Sequence, residues 1–214
     1  MVFKEIIEEK PRKYMHSGKF HISSIGQCKR KIYLKLKGIY KDDFDPKTLR
    51  TFGIGNLIHQ QIIKELFQKT EQVNWRILTG EIDIPPHRYI VGRCDLIMVN
   101  SKTEEKVIID IKSISPWSFG KIEKAEYQYI KNYNNQIQLY LHFFKIEKGV
   151  LLFVNKASSE IKEIEIKYDK ELCLKLIKEI EDFFKDYVEK DIAPNPCDGG
   201  DFGCDACGVA KNEK

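Results

Sequence analysis

Apolar and polar positions alternate with two periods along the chain, and the switches between them mark out the elements. Residues Arg76 to Ile84, Tyr89 to Val99 and Val107 to Lys112 read as three strands, the first ended by Pro85 and Pro86. Asn100 to Glu105 is the hairpin loop between the second and third. Val150 to Asn155 and Ile161 to Lys167 read as a further strand pair. Helical spacing governs Leu57, Ile58, Ile62 and Leu66, on a helix that Asp45 caps and Pro46 opens. A helix capped by Ser23 or Ser24 is expected to run to about Gly38, its C-cap. Gly53 and Gly55 weaken the helix that Pro46 opens or admit another backbone. Pro116 and Trp117 open a helical region, a long helix covers roughly Glu126 to Ile146, and another runs from Asp169 to Lys190 before Ala193 to Pro196. The order (helices, three strands, helix, two strands, helix) predicts an α/β fold, a mixed central sheet with helices on its faces.

Composition bounds the class. The chain has 214 residues, 42% hydrophobic and 32% charged. That suits one domain over 1–214 with a packed core. The longest apolar run, Val150 to Val154, is too short to span a bilayer. Acids stand near the start where a signal peptide would be apolar, so the expectation is an intracellular, cytoplasmic protein without a membrane partner. The net charge of +4 conceals an asymmetry: residues 10–41 hold ten Lys or Arg and no acid, leaving the rest at −6. A concentrated cation of this kind suits a polyanion, or is a solvated lysine-rich face.

Candidate chemistry concentrates on the strands. Alternation places Asp110 and Lys112 on one face of their strand, with Ile109 and Ile111 on the other. In an antiparallel hairpin Asp95 comes near Asp110. Two close carboxylates repel unless a divalent cation sits between them, and hard oxygen ligands suit magnesium or manganese. Taken alone, the Asp110–Lys112 triplet is as readily a surface ion pair. His59 lies on the helix that Pro46 opens, and Gln136 and Tyr140 share one face of the long helix.

Together, Gly55-x-x-x-His59, Gly92-x-x-Asp95, Asp110-x-Lys112 and Gln136-x-x-x-Tyr140 resemble, in order, the four motifs of RecB-like nucleases of the PD-(D/E)XK superfamily. Cys94 replaces the proline before Asp95, and the second acid is Asp rather than Glu. The resemblance implies a restriction-endonuclease-like fold with its nuclease core over 45–168. It implies that His59, Asp95 and Asp110, with the Ile111 carbonyl, bind Mg2+ or Mn2+. Lys112 would orient or deprotonate the attacking water, Gln136 and Tyr140 would position the site, and Glu81 is a reserve ligand. It further implies a DNA exonuclease, with single-stranded DNA as substrate. Lys29, Arg30, Lys31, Lys35 and Lys37 would contact phosphates, and Tyr33, Trp117 and Tyr127 are candidates for stacking on bases or for the core. A competing reading is a DNA-binding or assembly module with a vestigial site, serving an integrase or recombinase.

Six cysteines are present, three of them in the last eighteen residues. Cys204 and Cys207 form a C-x-x-C pair with Cys197 seven residues earlier, and Cys28 is the best fourth thiol. The stretch His21 to Tyr33 resembles the N-terminal cysteine motif of the iron–sulfur branch of the family, which includes the CRISPR-associated Cas-four exonucleases and related phage and viral proteins. That resemblance implies a 4Fe–4S cluster joining the chain ends, between the basic segment 10–41 and the tail 193–214. It also implies a role in CRISPR spacer acquisition or in phage and viral DNA processing. Zinc would satisfy the same thiolates. Cys94 and Cys173 are expected to be packing residues.

Overall fold

A computed structural model of the chain describes residues 17–69, 74–122, 128–198 and 204–208. Its centre is a five-stranded mixed sheet. The strands are β2 (Trp75–Asp83), β4 (Arg93–Asn100), β5 (Lys106–Ile114), β6 (Lys148–Asn155) and β7 (Ile161–Lys167), side by side in that order. Only the β5–β6 pairing is parallel. The chain crosses from β5 to β6 through a one-turn helix and then a long one, as a parallel pair requires. A small parallel pair, β1 (Phe20–His21) and β3 (Ile90–Val91), lies apart from the main sheet.

Five α-helices are described: α1 (Lys29–Leu36), α2 (Pro46–Lys69), the single-turn α3 (Pro116–Phe119), α4 (Gln128–Phe144) and α5 (Lys170–Phe183). Asp45 caps α2, its carboxylate accepting the Thr48 N–H at 2.6 Å. Asp169 does the same for α5 through Leu172 at 2.9 Å. The strands, α2 and these caps lie within a residue or two of where the sequence pattern puts them. Two expectations are corrected. Ser23 and Ser24 cap no helix: they lie in a 3-10 turn (Ile22–Ser24), and α1 begins only after Cys28. The break falls at Gly26, whose φ of +80° is left-handed and whose missing side chain leaves room for Asn132 of α4. Tyr89 to Val99 is also two strands rather than one, β3 and β4, divided at Gly92. A Cβ at Gly92 would stand 2.7 Å from Ile22 and 3.0 Å from Tyr140, so the glycine lets both pack onto the turn.

The apolar run in β6 has a simple cause. Leu151 and Phe153 join Ile137 and Leu141 of α4 and Ile180 of α5 on one face of the sheet. Leu152 and Val154 meet Ile62 of α2 and Ile111 on the other. A central strand covered on both faces has no polar side. Each such side chain contributes roughly 1.5–3 kcal/mol through burial. The edge strand β7 alternates Ile with Lys and Glu, so its outer face is charged, which discourages pairing with another chain. No helix among the described residues is long and apolar enough to cross a membrane.

Candidate active site

Strands β4 and β5 are paired from Val99–Lys106 to Leu96–Ile109, and there the ladder stops. Asp95 and Asp110 are the next residues on each strand. The Ile111 N–H is bonded instead to the Asp95 carboxylate, Oδ2 accepting at 2.8 Å. The functional side chains gather at this divergence. His59, reaching in from α2, places Nδ1 3.8 Å from Asp95 Oδ2. Asp110 is only 1% exposed, and its Oδ2 lies 2.7 Å from the Lys112 ammonium. Alternation has placed Asp110 and Lys112 on the α4 side of β5, while Ile111 packs toward α2. From α4, Gln136 Nε2 stands 3.5 Å from both Asp110 Oδ1 and the Tyr140 hydroxyl. The motif residues of four separate elements therefore share one site.

Its electrostatics follow from burial. Removal from water pushes the Asp110 carboxyl up to about 6, against the pull of Lys112. Asp95 is raised by the same cause. Burial opposes the charge on Lys112 too, but the facing Asp110 and Asp95 carboxylates outweigh it, so the ammonium is held above its ordinary value. Burial, with Lys112 nearby, lowers His59 and leaves a neutral imidazole at neutral pH, the form that binds metals. Burial raises the Tyr140 phenol, which stays protonated.

The residues fit a divalent cation. Asp110 Oδ2 is buried and, for all its closeness to Lys112, no hydrogen-bond donor is aligned on it. The donor set of two carboxylates and one neutral imidazole suits manganese or magnesium. These donors stand loosely around their centre: among the described residues, only the cysteines converge as closely as bound ligands would.

The reserve ligand Glu81 belongs here, and so do two residues that the sequence reading did not name, Tyr133 and Lys156. Glu81 has a φ of +47°, and its neighbours pair with Leu96 and Cys94, which sets it opposite Asp95. Its charge acts on Asp95 and His59. A left-handed glutamate is a strained backbone, held by the surrounding pairing. Tyr133, three residues before Gln136 on α4, presents its ring 5.2 Å from the Lys112 ammonium. That spacing is visible in the sequence, one helical turn from a motif residue. Lys156, on the turn after β6, reaches back to α2, with Nζ 3.4 Å from the Thr51 carbonyl, and its charge acts on His59. No local signal marks it, because the contact joins residues 105 apart.

The cationic helix α1 has structural partners. Arg30 donates to the Pro194 carbonyl at 2.7 Å, and Lys37 pairs with Asp191 at 2.7 Å. Lys31 and Lys35 both pair with Asp42, at 3.3 and 2.5 Å. Tyr33 is 5% exposed and bonds Asp191, so it is a core residue and not a stacking platform. Trp117 is 62% exposed, and Tyr127 lies outside the described residues. These contacts seat α1 against the segment 188–194, which brings Cys28 to Cys197, Cys204 and Cys207. All four Sγ atoms lie within 4.8 Å of one another. Cys94 and Cys173 are fully buried, and burial pushes each thiol up to about 12, as packing residues require.

Comparison with solved structures then decides the fold. The chain matches an alkaline exonuclease (LHK-Exo) from Laribacter hongkongensis in complex with dAMP, at a TM-score of 0.59 and 13% identity, covering 81% of this chain and 89% of that one. It shares the fold of exonucleases. A phage-related exonuclease from Haemophilus somnus 129PT matches at a TM-score of 0.54 and 17% identity, covering 81% and 96%. A third structure, SSO0001, matches at 0.50 and 18%, covering 86% and 81%. No protein-family model matches the sequence, and no curated protein does.

Proposed function

We propose that the protein is a metal-dependent deoxyribonuclease that hydrolyses phosphodiester bonds from the ends of single-stranded DNA. The observation that carries this reading is the meeting of His59, Asp95, Asp110, Lys112 and Gln136 where β4 and β5 part. The exonuclease fold of the neighbours supports it, and so does dAMP in one of them. His59, Asp95, Asp110 and the Ile111 carbonyl would hold a Mg2+ or Mn2+, which when bound would lower the pKa of water and polarise the scissile phosphate.

The chain's own residues do the rest. Lys112 remains charged beside Asp110, so it orients the attacking water and offsets the charge that grows on the phosphate oxygens. Tyr133 flanks the Lys112 ammonium with its ring. Gln136 holds Asp110 against rotation, and Tyr140, locked as a neutral phenol, holds Gln136. Lys156, whose charge reaches His59, and the exposed Lys29 at the start of α1 are the phosphate contacts of this reading. Trp117 is exposed, but the Lys121 ammonium lies over its ring at 3.4 Å from the centroid, so a base would have to share or displace that contact to stack there. The cysteine cluster is a metal-bound clasp that fixes α1 to the end of the chain. CRISPR spacer acquisition and phage or viral DNA processing are the settings that the iron–sulfur-branch resemblance suggests.

The test is cleavage of end-labelled single-stranded DNA with manganese and then with EDTA, by the wild type and by Lys112→Ala. Mononucleotides released only with metal, and lost in the variant, are the expected result. Tight binding without cleavage in either protein would instead identify a DNA-binding module.

A further inference from the structure

We propose that Cys28, Cys197, Cys204 and Cys207 hold a single tetrahedral zinc ion and not the 4Fe–4S cluster that the family resemblance implies. The argument is the spacing of the sulfurs. Around one zinc, with bonds of about 2.3 Å, neighbouring thiolates stand about 3.8 Å apart. Here Cys28 Sγ is 3.6 Å from Cys207 Sγ, and Cys197 Sγ is 3.7 Å from the same atom. No pair among the four is farther apart than 4.8 Å. A cubane puts each thiolate on a different iron, so its four cysteines surround a body of eight atoms and their sulfurs stand well beyond the edge of a one-ion tetrahedron. Sulfurs at this spacing fit around one ion, and a cubane would require them to move apart.

Those elements are fastened. Cys28 stands at the N-terminus of α1, which Arg30, Tyr33 and Lys37 tie to residues 188–194. Cys204 caps and Cys207 ends a 3-10 turn that the Cys207 N–H closes on the Cys204 carbonyl at 3.0 Å, with Gly208 left-handed beyond it at φ +68°. The Cys197 N–H points at Cys207 Sγ from 3.4 Å, the outer hydrogen bond that steadies a metal-bound thiolate. Four mutually close thiols, with no further ligand grouped with them among the described residues, match the donor set of a closed structural zinc site.

The inference deepens the reading of the cysteines as a clasp. Its test counts metal and sulfide without DNA, so its outcome is separate from that of the nuclease assay. The full chain is purified anaerobically, and its zinc, iron and acid-labile sulfide are measured beside its visible spectrum. One zinc per chain, no sulfide and a colourless protein are expected. Iron with a matching amount of sulfide and a brown colour overturns the proposal, as does iron alone or no metal. Exchange with cobalt(II) supplies a second readout that needs no variant. Intense tetrahedral thiolate bands at one cobalt per chain support the site, and weak octahedral bands overturn it. Cys28→Ser should weaken zinc retention against a chelator at least tenfold; unchanged retention in a folded variant overturns the assignment.

Discussion

The carboxylate site and the cysteine cluster are both candidate metal centres, but they are built in opposite ways. Asp95, Asp110 and Lys112 stand on adjacent central strands, and His59 and Gln136 come from helices packed on the two faces of the sheet. The Lys112 ammonium already balances the buried charge, so the site keeps its shape from the protein's own groups. The four cysteines stand on a helix end and a tail, and there thiol meets thiol directly. Where a metal serves reaction, the fold supplies the frame and leaves the donors loose. Where a metal serves structure, the donors converge and the metal supplies the frame.

Removing Lys112 should separate the two most sharply. Lys112→Ala is expected to cut DNA about 10²–10³-fold more slowly, while the metal proposed at the cysteines, measured by elemental analysis, stays at the wild-type amount. A loss of that metal as well would show that the two centres are not independent. Cys207→Ser is the converse. It should lower the thermal midpoint by about 5–10 °C, at about 2–4 °C per kcal/mol for a chain of this size. The activity of the molecules still folded should change little. Scanning calorimetry and an active-site titration check both halves.

Acid should distinguish the centres next. Asp110 must lose its proton to bind a cation, and its carboxyl is pushed up to about 6. Manganese affinity measured by calorimetry is therefore expected to fall roughly tenfold between pH 7.5 and pH 5. The same shift acts on stability with the other sign. Between the ordinary carboxyl value of 3.8 and about 6, the folded state keeps a proton that the unfolded chain has released. The protein without divalent metal should thus lose stability as pH rises through that window, and Asp110→Asn should not. The smallest effect belongs to Lys156→Ala, which should weaken DNA binding about 3–10-fold and reduce its salt dependence by about one phosphate contact. Fluorescence anisotropy over a salt series reads both.

The strands and the shared face of Asp110 and Lys112 are legible because a two-residue period is written in consecutive positions. The Asp45 cap is legible because capping is local. The groups behind the site are only partly so. Tyr133 stands in plain view at helical spacing from Gln136, whereas Lys156 meets α2 across 105 residues. Glu81, named from the sequence only as a reserve ligand, is set opposite Asp95 by strand pairing, at a backbone angle that no glutamate advertises. Arg30 and Lys37 look like a DNA surface in sequence because their partners, the Pro194 carbonyl and Asp191, lie at the far end of the chain, whereas Lys31 and Lys35 pair with Asp42 just beyond the basic segment. A charge run shows its sign in sequence, but not which of its charges the fold has already paired.

The distance along the chain between Cys28 and Cys207 has a consequence for biosynthesis. The two residues are 179 positions apart, and the whole central sheet lies between them. At a translation rate of about 5–20 residues per second, Cys28 waits roughly ten to forty seconds for its last partners. Until then the tail residues that α1 and Cys28 meet in the folded protein are not yet made, while the sheet that carries Asp95 and Asp110 is complete in sequence by Lys167. On the proposed reading, closing the clasp is thus a late event of assembly: a cell short of the metal would accumulate chains with a finished sheet and an open cysteine cluster.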